Sequence, residues 1–441
     1  MISHRPVIPT ISVIHVMADY GLLSACTDHC VIARSFPFKN EVLKGYLYGT
    51  GIPPGLGHHL PATAFIPRIS ACALASDGTT AKAIWGRQDG SVIIVAHPRT
   101  MTRTQSPAQI LTSSAQQEHE GAVLDATWAA AGNAFVTAGS DGRIKVWAVA
   151  PFCCAWTSDI HFSGQGMAKI AEDLANGLVV AASRSGDLII LSGFDASSLG
   201  RRAVLPYDIQ KLCVSVRTFP TPVTDSTSDP QPMEISVLSF QTHSPTRLSI
   251  LAFYLNTSRF YRYSVDLLNE RVDVKTFGDA GFGTIRCIQP AFSDDSMEPS
   301  FVLAGTRLGV VSIYDWDTTA QLSDSYPASR HVDVFSDAQV TSLALNPFVI
   351  VAGSSYGGIT VLDLLTLETL RSFPAPVKNA VQQIELVGDL LVANVGSRVL
   401  AWSAYYSMSS GKNSAPTKGK GKQGGHKKWF GTYHSDPLHG D

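Results

Sequence analysis

Gly353-Ser354-Ser355-Tyr356-Gly357 satisfies G-x-S-x-G, the spacing that presents a nucleophilic serine in many hydrolases. That chemistry needs a strand, a sharp turn and then a helix, which lift the hydroxyl clear of the backbone beside oxyanion donors. Here "FVIVA" leads in and "GITVLDL" leads out, so the setting is strand, turn, strand, and the serine reads as a turn residue. Seven cysteines, at 26, 30, 72, 153, 154, 213 and 287, offer thiolate or zinc chemistry. Cys26-x3-Cys30 has no second pair and adjacent Cys153-Cys154 is not a zinc spacing, so they read as buried thiols of a reducing compartment. His58-His59, in "GTGIPPGLGHHLP", has no further ligands near it, and the glycines of that stretch do not form a phosphate-binding G-x-G-x-x-G. No H-E-x-x-H, P-loop or EF-hand loop occurs. These residues predict no catalytic centre, no metal and no cofactor.

What the candidates share is a setting of short strands and tight turns. Hydrophobic residues make up 45% of the 441 and charged residues 16%, with 36 Gly and 24 Pro, a profile of an all-β chain with many turns. "VTAGSDGRIKVW" (136–147) shows the unit: an apolar strand, an Asp-Gly turn whose glycine supplies positive φ, and an alternating strand that ends in tryptophan. Similar units follow "LLSACTDHCVIARSF", "AIWGRQDGSVIIVA", "LVVAASRSGDLIILSGFD", "LSILAFYLNTSRFYRYSVD", "FVLAGTRLGVVSIYDWD", "FVIVAGSSYGGITVLDL" and "LLVANVGSRVLAWSA". Their turns fall near 28, 88, 141, 186, 257, 308, 357 and 396, a repeat of roughly 40–50 residues with longer gaps left for loops.

From about residue 7 to 404 the chain resembles the WD-repeat β-propellers, most specifically in "EHEGAVLDATWAAAGNAFVTAGSDGRIKVW". The resemblance implies a structural tetrad of His119, Thr137, Asp141 and Trp147, a buried hydrogen-bonded set rather than a catalytic triad. Other units depart from the pattern. Asp28 and Asp89 keep a turn acid, Leu308 and Tyr356 occupy comparable turns, and only Trp147 and Trp402 keep the terminal tryptophan. Eight turn signals predict eight blades, with seven the alternative if the first hairpin is not a blade. The last unit shows three strands, so closure of the ring calls for a strand from the N-terminus, with Arg5–Thr10 the candidate.

The expected organisation is one propeller over 1–404, with flexible insert loops near 39–67, 98–118 and 219–232, and a low-complexity tail over 405–441. From Gly411 the tail holds six lysines against two aspartates and reads as disordered and basic. The formal net charge of −2 implies no global attraction to nucleic acid or to an anionic membrane. The N-terminus, interrupted by His4, Arg5, His15 and Asp19, makes a poor signal peptide and cannot span a bilayer. A soluble protein of the cytoplasm or nucleus is expected, monomeric by itself within a larger complex.

In propellers one face is built from the turns between second and third strands together with the connections between blades. Arg87, Arg184 and Arg307 fall at that turn, and Arg143 and Arg398 flank it. Guanidinium groups suit carboxylates or phosphates, which they bind in bidentate fashion. The sequence therefore predicts a non-enzymatic scaffold that recruits other proteins through this face, including phosphorylated peptides. It resembles the substrate receptors of F-box ubiquitin ligases, although no helical F-box segment precedes the strands here. The alternative is an RNA-associated or ribosome-assembly propeller acting through the lysine-rich tail.

Overall fold

The computed structural model describes residues 2–4, 10–17, 21–28, 30–36, 41–48, 68–76, 80–97, 109–158, 166–194, 215–219, 235–269, 271–293, 298–319 and 325–403; side chains of 2–4, 41–48, 97, 109 and 215–219 are outside that description. Strands are the rule in these residues, with a single 3-10 turn at Ala280–Phe282 and no α-helix. They form eight four-stranded antiparallel sheets, so the chain is an eight-bladed β-propeller. Seven blades occupy 13–48, 69–112, 123–157, 167–219, 235–277, 285–333 and 340–374 in sequence order. The eighth combines three C-terminal strands with β1 (Ile2–His4), which pairs antiparallel with the last strand, Arg398–Ser403. Among the described residues no helix is long and apolar enough to cross a membrane.

Alternation along the middle strands builds the ring. A strand with both faces apolar needs a neighbour on each side, because successive side chains point to opposite faces. In the third blade Phe135 and Trp147 pack toward the second blade, with Ala71, Ile84 and Ile94. Val136, Ala138, Ile144 and Val146 pack toward the fourth, against Val179, Ala181 and Ile189. Each of the eight junctions between blades holds its own apolar cluster of this kind. The junction of blades eight and one is filled by Ile11, Ile14, Val16 and Leu22 against Leu390, Val392, Val399 and Ala401.

All eight turns joining second and third strands contain a residue with positive φ. Gly90, Gly142, Gly186, Gly309, Gly357 and Gly396 serve six of them, at φ between 71° and 92°, where glycine alone escapes a Cβ clash. The other two turns use Cys30 (φ 53°) and Asn256 (φ 60°). Cys30 is thus a turn-former as well as a thiol. The turn aspartate is dispensable from unit to unit; the left-handed residue is not.

Three sequence expectations need correction. The ring is closed by Ile2–His4 rather than by Arg5–Thr10, because by Ile11 the chain already bonds to Gly396 O (2.9 Å) in the eighth blade's turn on its way into the first blade. Within that stretch Thr10 donates to Asp28 instead (3.1 Å), and 5–9 lie outside the described residues. Glu41–Tyr48 and Gln109–Thr112 are outer strands, where insert loops were expected near 39–67 and 98–118. Such strands carry little apolar periodicity when they pack at the rim, and Pro- and Gly-rich flanks mask them further. The third expected insert, 219–232, lies outside the described residues apart from Phe219, as does the tail over 405–441. Of the six described cysteines only Cys26 and Cys30 are buried outright, the others half-buried; all six are free thiols.

The seam between blades eight and one is polar at its inner edge. Gln383 accepts from Ile14 N and donates to Ile14 O, both at 2.9 Å, and Glu385 accepts from Val16 N at 2.7 Å. Burial pushes the Glu385 carboxyl up to about 7 against the lowering effect of its Val16 and Gln383 bonds. A carboxyl raised in the folded state adds stability that is complete below the unfolded value near 4.5 and is lost as pH rises through about 7. Urea midpoints should therefore fall between pH 5 and pH 8, and Glu385→Gln should shrink that fall. Removing Met1–His4 leaves the last strand unpaired along one edge and is expected to cost about 2–4 kcal/mol, the worth of a few backbone hydrogen bonds. The midpoint of urea denaturation at constant m-value checks it.

Candidate functional site

The side chains matched to the tetrad form a relay in the third blade. Trp147 Nε1–H donates to Thr137 Oγ1 (2.8 Å), Thr137 Oγ1 lies 2.8 Å from His119 Nε2, and His119 Nδ1 lies 3.1 Å from both Asp141 carboxylate oxygens. One proton inventory fits all of these. The indole fills a lone pair of the threonine, the hydroxyl donates to Nε2, and Nδ1–H donates to the carboxylate. Burial lowers the imidazole below its usual range despite Asp141, which keeps it neutral. Burial would raise Asp141, but bonds from His119, Arg143 N and Glu120 N outweigh it and bring the acid down to about 2. His119, Thr137 and Trp147 are buried, so the relay faces no substrate. It pins the connection before the third blade to the turn inside it.

Ser354 ends a strand, buried, and its Oγ accepts from Gly358 N (2.7 Å) across the turn. Ser183 and Thr306 hold the same place in their blades, accepting from Asp187 N (3.0 Å) and Val310 N (3.2 Å). The G-x-S-x-G serine is one of a set of turn braces. Among the described residues no group of three or more His, Cys, Asp or Glu could hold a metal ion. His58-His59 lies outside them.

Antiparallel order places every turn between second and third strands, and every connection between blades, at one end of the ring. Arg87, Arg143, Arg184, Arg307 and Arg398 all fall at that end, on blades two, three, four, six and eight. Their environments differ. Arg184 and Arg307 are exposed, while Arg87 and Arg398 are half-buried. Arg143 faces Glu120 at 3.5 Å, with its side chain 27% exposed, so it is partly engaged within its own blade. Three turn aspartates of this end are drawn into local bonds: Asp89 accepts from Ser91 N and Oγ, Asp141 from His119, and Asp187 from Ser185.

Two further arginines stand at this end without having been singled out from sequence. Arg259 closes the fifth-blade turn and Arg286 is the second residue of the sixth blade's inner strand (Ile285–Ala291); both are exposed. A signal for Arg259 was present in "NTSRF", where it precedes the third strand much as Arg143 does in its blade. No local pattern marks Arg286, whose place depends on how the blades are ordered.

No protein-family model matches the chain. No curated protein matches it either. Among solved structures, the computationally designed Ika8 protein is similar over 91% of this chain and 97% of its own, at 15% identity and a TM-score of 0.57. Sqt1 of Saccharomyces cerevisiae is similar over 74% of this chain and 79% of its own, at 11% identity and a TM-score of 0.52. These likenesses concern the fold.

Thr137→Val keeps the shape and removes the hydroxyl, leaving the Trp147 N–H and His119 Nε2 buried without partners. A cost of about 2–4 kcal/mol is expected from two orphaned groups in one network. Chemical denaturation of the wild type and this variant at one pH tests the value.

Proposed function

We propose that this protein is a non-enzymatic scaffold that recruits partner proteins through the end of the propeller carrying the turns between second and third strands. The observation that carries this reading is the set of exposed arginines at that end. Arg184, Arg259 and Arg307 stand exposed, with no side-chain hydrogen bond or ion pair to another described residue. The neighbouring aspartates are committed to their own turns. Guanidinium groups so presented suit carboxylates or phosphates on a partner. Recognition of acidic or phosphorylated segments, of the kind the resembled ubiquitin-ligase receptors perform, is the finer form of this proposal.

The sequence motif nearest to a nucleophile is a turn brace, and the His-Thr-Asp set is buried. The alternative of an RNA-associated propeller rests on lysines 412–428 alone.

The test is affinity capture from lysate with the full chain, a chain ending at Ser403, and the triple variant Arg87→Glu, Arg184→Glu, Arg307→Glu. Partners kept by the truncated chain and lost by the triple variant are expected. Partners lost with the tail and with nuclease would transfer the function to RNA.

A further inference from the structure

The turn end is not uniform around the ring. Large apolar side chains stand out at three equivalent turns on consecutive blades: Leu255 (45% exposed) on the fifth, Leu308 (58%) on the sixth and Tyr356 (64%) on the seventh. At the same position, just before the left-handed residue, the second, third and fourth blades carry Asp89, Asp141 and Ser185, and the eighth a buried Val395. Exposed single apolar residues are ordinary, whereas three at one repeated position on adjoining blades form a patch.

Backbone bonds make these turns one continuous surface. Ile285 N donates to Thr257 O (2.9 Å), tying the fifth-blade turn to the start of the sixth blade. Arg307 N donates to Thr284 O (2.9 Å), tying that start to the sixth-blade turn. Val334 N and Phe335 N donate to Gly309 O (3.0 and 3.1 Å), and Ser355 N to Gln339 O (2.9 Å), which carries the surface on to Tyr356. Leu308 also borders Gly283 so closely that an added Cβ would lie 3.1 Å from its Cγ.

Cations line the same arc. Arg259, Arg286 and Arg307 are exposed within or beside these turns, and none has a side-chain ion pair with a described residue. No acid occurs in 255–259, 284–286, 307–309 or 355–357. Two carboxylates on the connections, Asp279 and Asp337, accept from Gly281 N (2.8 Å) and Ser336 Oγ (3.2 Å). Exposed Asp333 ends the outer strand Arg330–Asp333 and pairs in register with Val310, so one acid borders the arc on its rim side.

We propose that the arc over blades five to seven is the docking site for a partner segment rich in Asp and Glu that also carries large apolar side chains. The segment's apolar groups would cover Leu255, Leu308 and Tyr356, and its carboxylates would pair with Arg259, Arg286 and Arg307. Buried apolar anchors supply most of such a contact's strength, and the charge pairs around them set orientation and encounter rate. This deepens the scaffold reading above and rests on it.

The test uses the full chain as bait for a phage-displayed library of random 16-residue peptides. Enriched peptides are then synthesised and their Kd measured by fluorescence anisotropy. Acidic peptides with two or more large apolar residues should dominate. Their affinity should fall about tenfold or more with Arg259→Glu/Arg307→Glu, and as much with Leu308→Ser/Tyr356→Ser, the loss expected on removing contact anchors. Unchanged melting temperatures would show that these surface variants fold. Peptides weakened only by Arg87→Glu/Arg184→Glu would overturn the site and leave the recruiting face in place. Enriched peptides without acidic residues, peptides indifferent to every variant at this end, or no enrichment would each overturn the inference, while the lysate capture decides the scaffold reading separately.

Discussion

Every sheet in this protein has two apolar faces and an inner strand with one edge left over, and no single blade can cover them. That constraint organises the structure. Each apolar face finds its partner on the next blade, so eight clusters alternate with eight sheets, and the last cluster exists only because the chain's two ends meet. Backbone groups of the inner strands are met across the junctions as well. Asp125 of the third blade accepts from Ile170 N of the fourth (3.0 Å), and Thr341 of the seventh donates to Val381 O ahead of the eighth (2.8 Å). Gln383 and Glu385 do the same where the ring closes. An unpaired backbone group buried away from water costs about as much as a lost hydrogen bond, so these side chains are placed where the sheet ladder ends.

A closed ring frees its turns from the core. Once the left-handed residue is in place, the neighbouring positions can vary widely at small cost to the fold. The third blade spends them on a buried relay from Trp147 to Asp141 that fixes its turn to the preceding connection. The fourth, sixth and seventh blades brace the turn with a serine or threonine instead. The two solutions do the same mechanical job, which is why the tetrad can be complete in one blade without weakening the others. What varies beyond them, arginine in some blades and leucine or tyrosine in others, lies on the surface, where interaction specificity can reside.

The sequence by itself carried the repeat and its eight turn signals, while the tetrad was what the resemblance to WD-repeat propellers implied. The repeat and its turns depend on local rules: strand alternation and positive φ at a tight turn. The eight turns near 28, 88, 141, 186, 257, 308, 357 and 396 are legible because each is a hairpin read within about fifteen residues. The outer strands Glu41–Tyr48 and Gln109–Thr112 were not, since the rim gives them little apolar periodicity and their flanks resemble loops. Only the tertiary structure decided which N-terminal residues close the ring, because that pairing joins Ile2–His4 to a strand nearly four hundred residues away. It also decided the grouping of surface residues. Leu308 and Tyr356 read in sequence as departures from a motif, and Arg259 and Arg286 were not singled out from it. Each becomes part of one surface because antiparallel order brings the turns of consecutive blades to the same end of the ring.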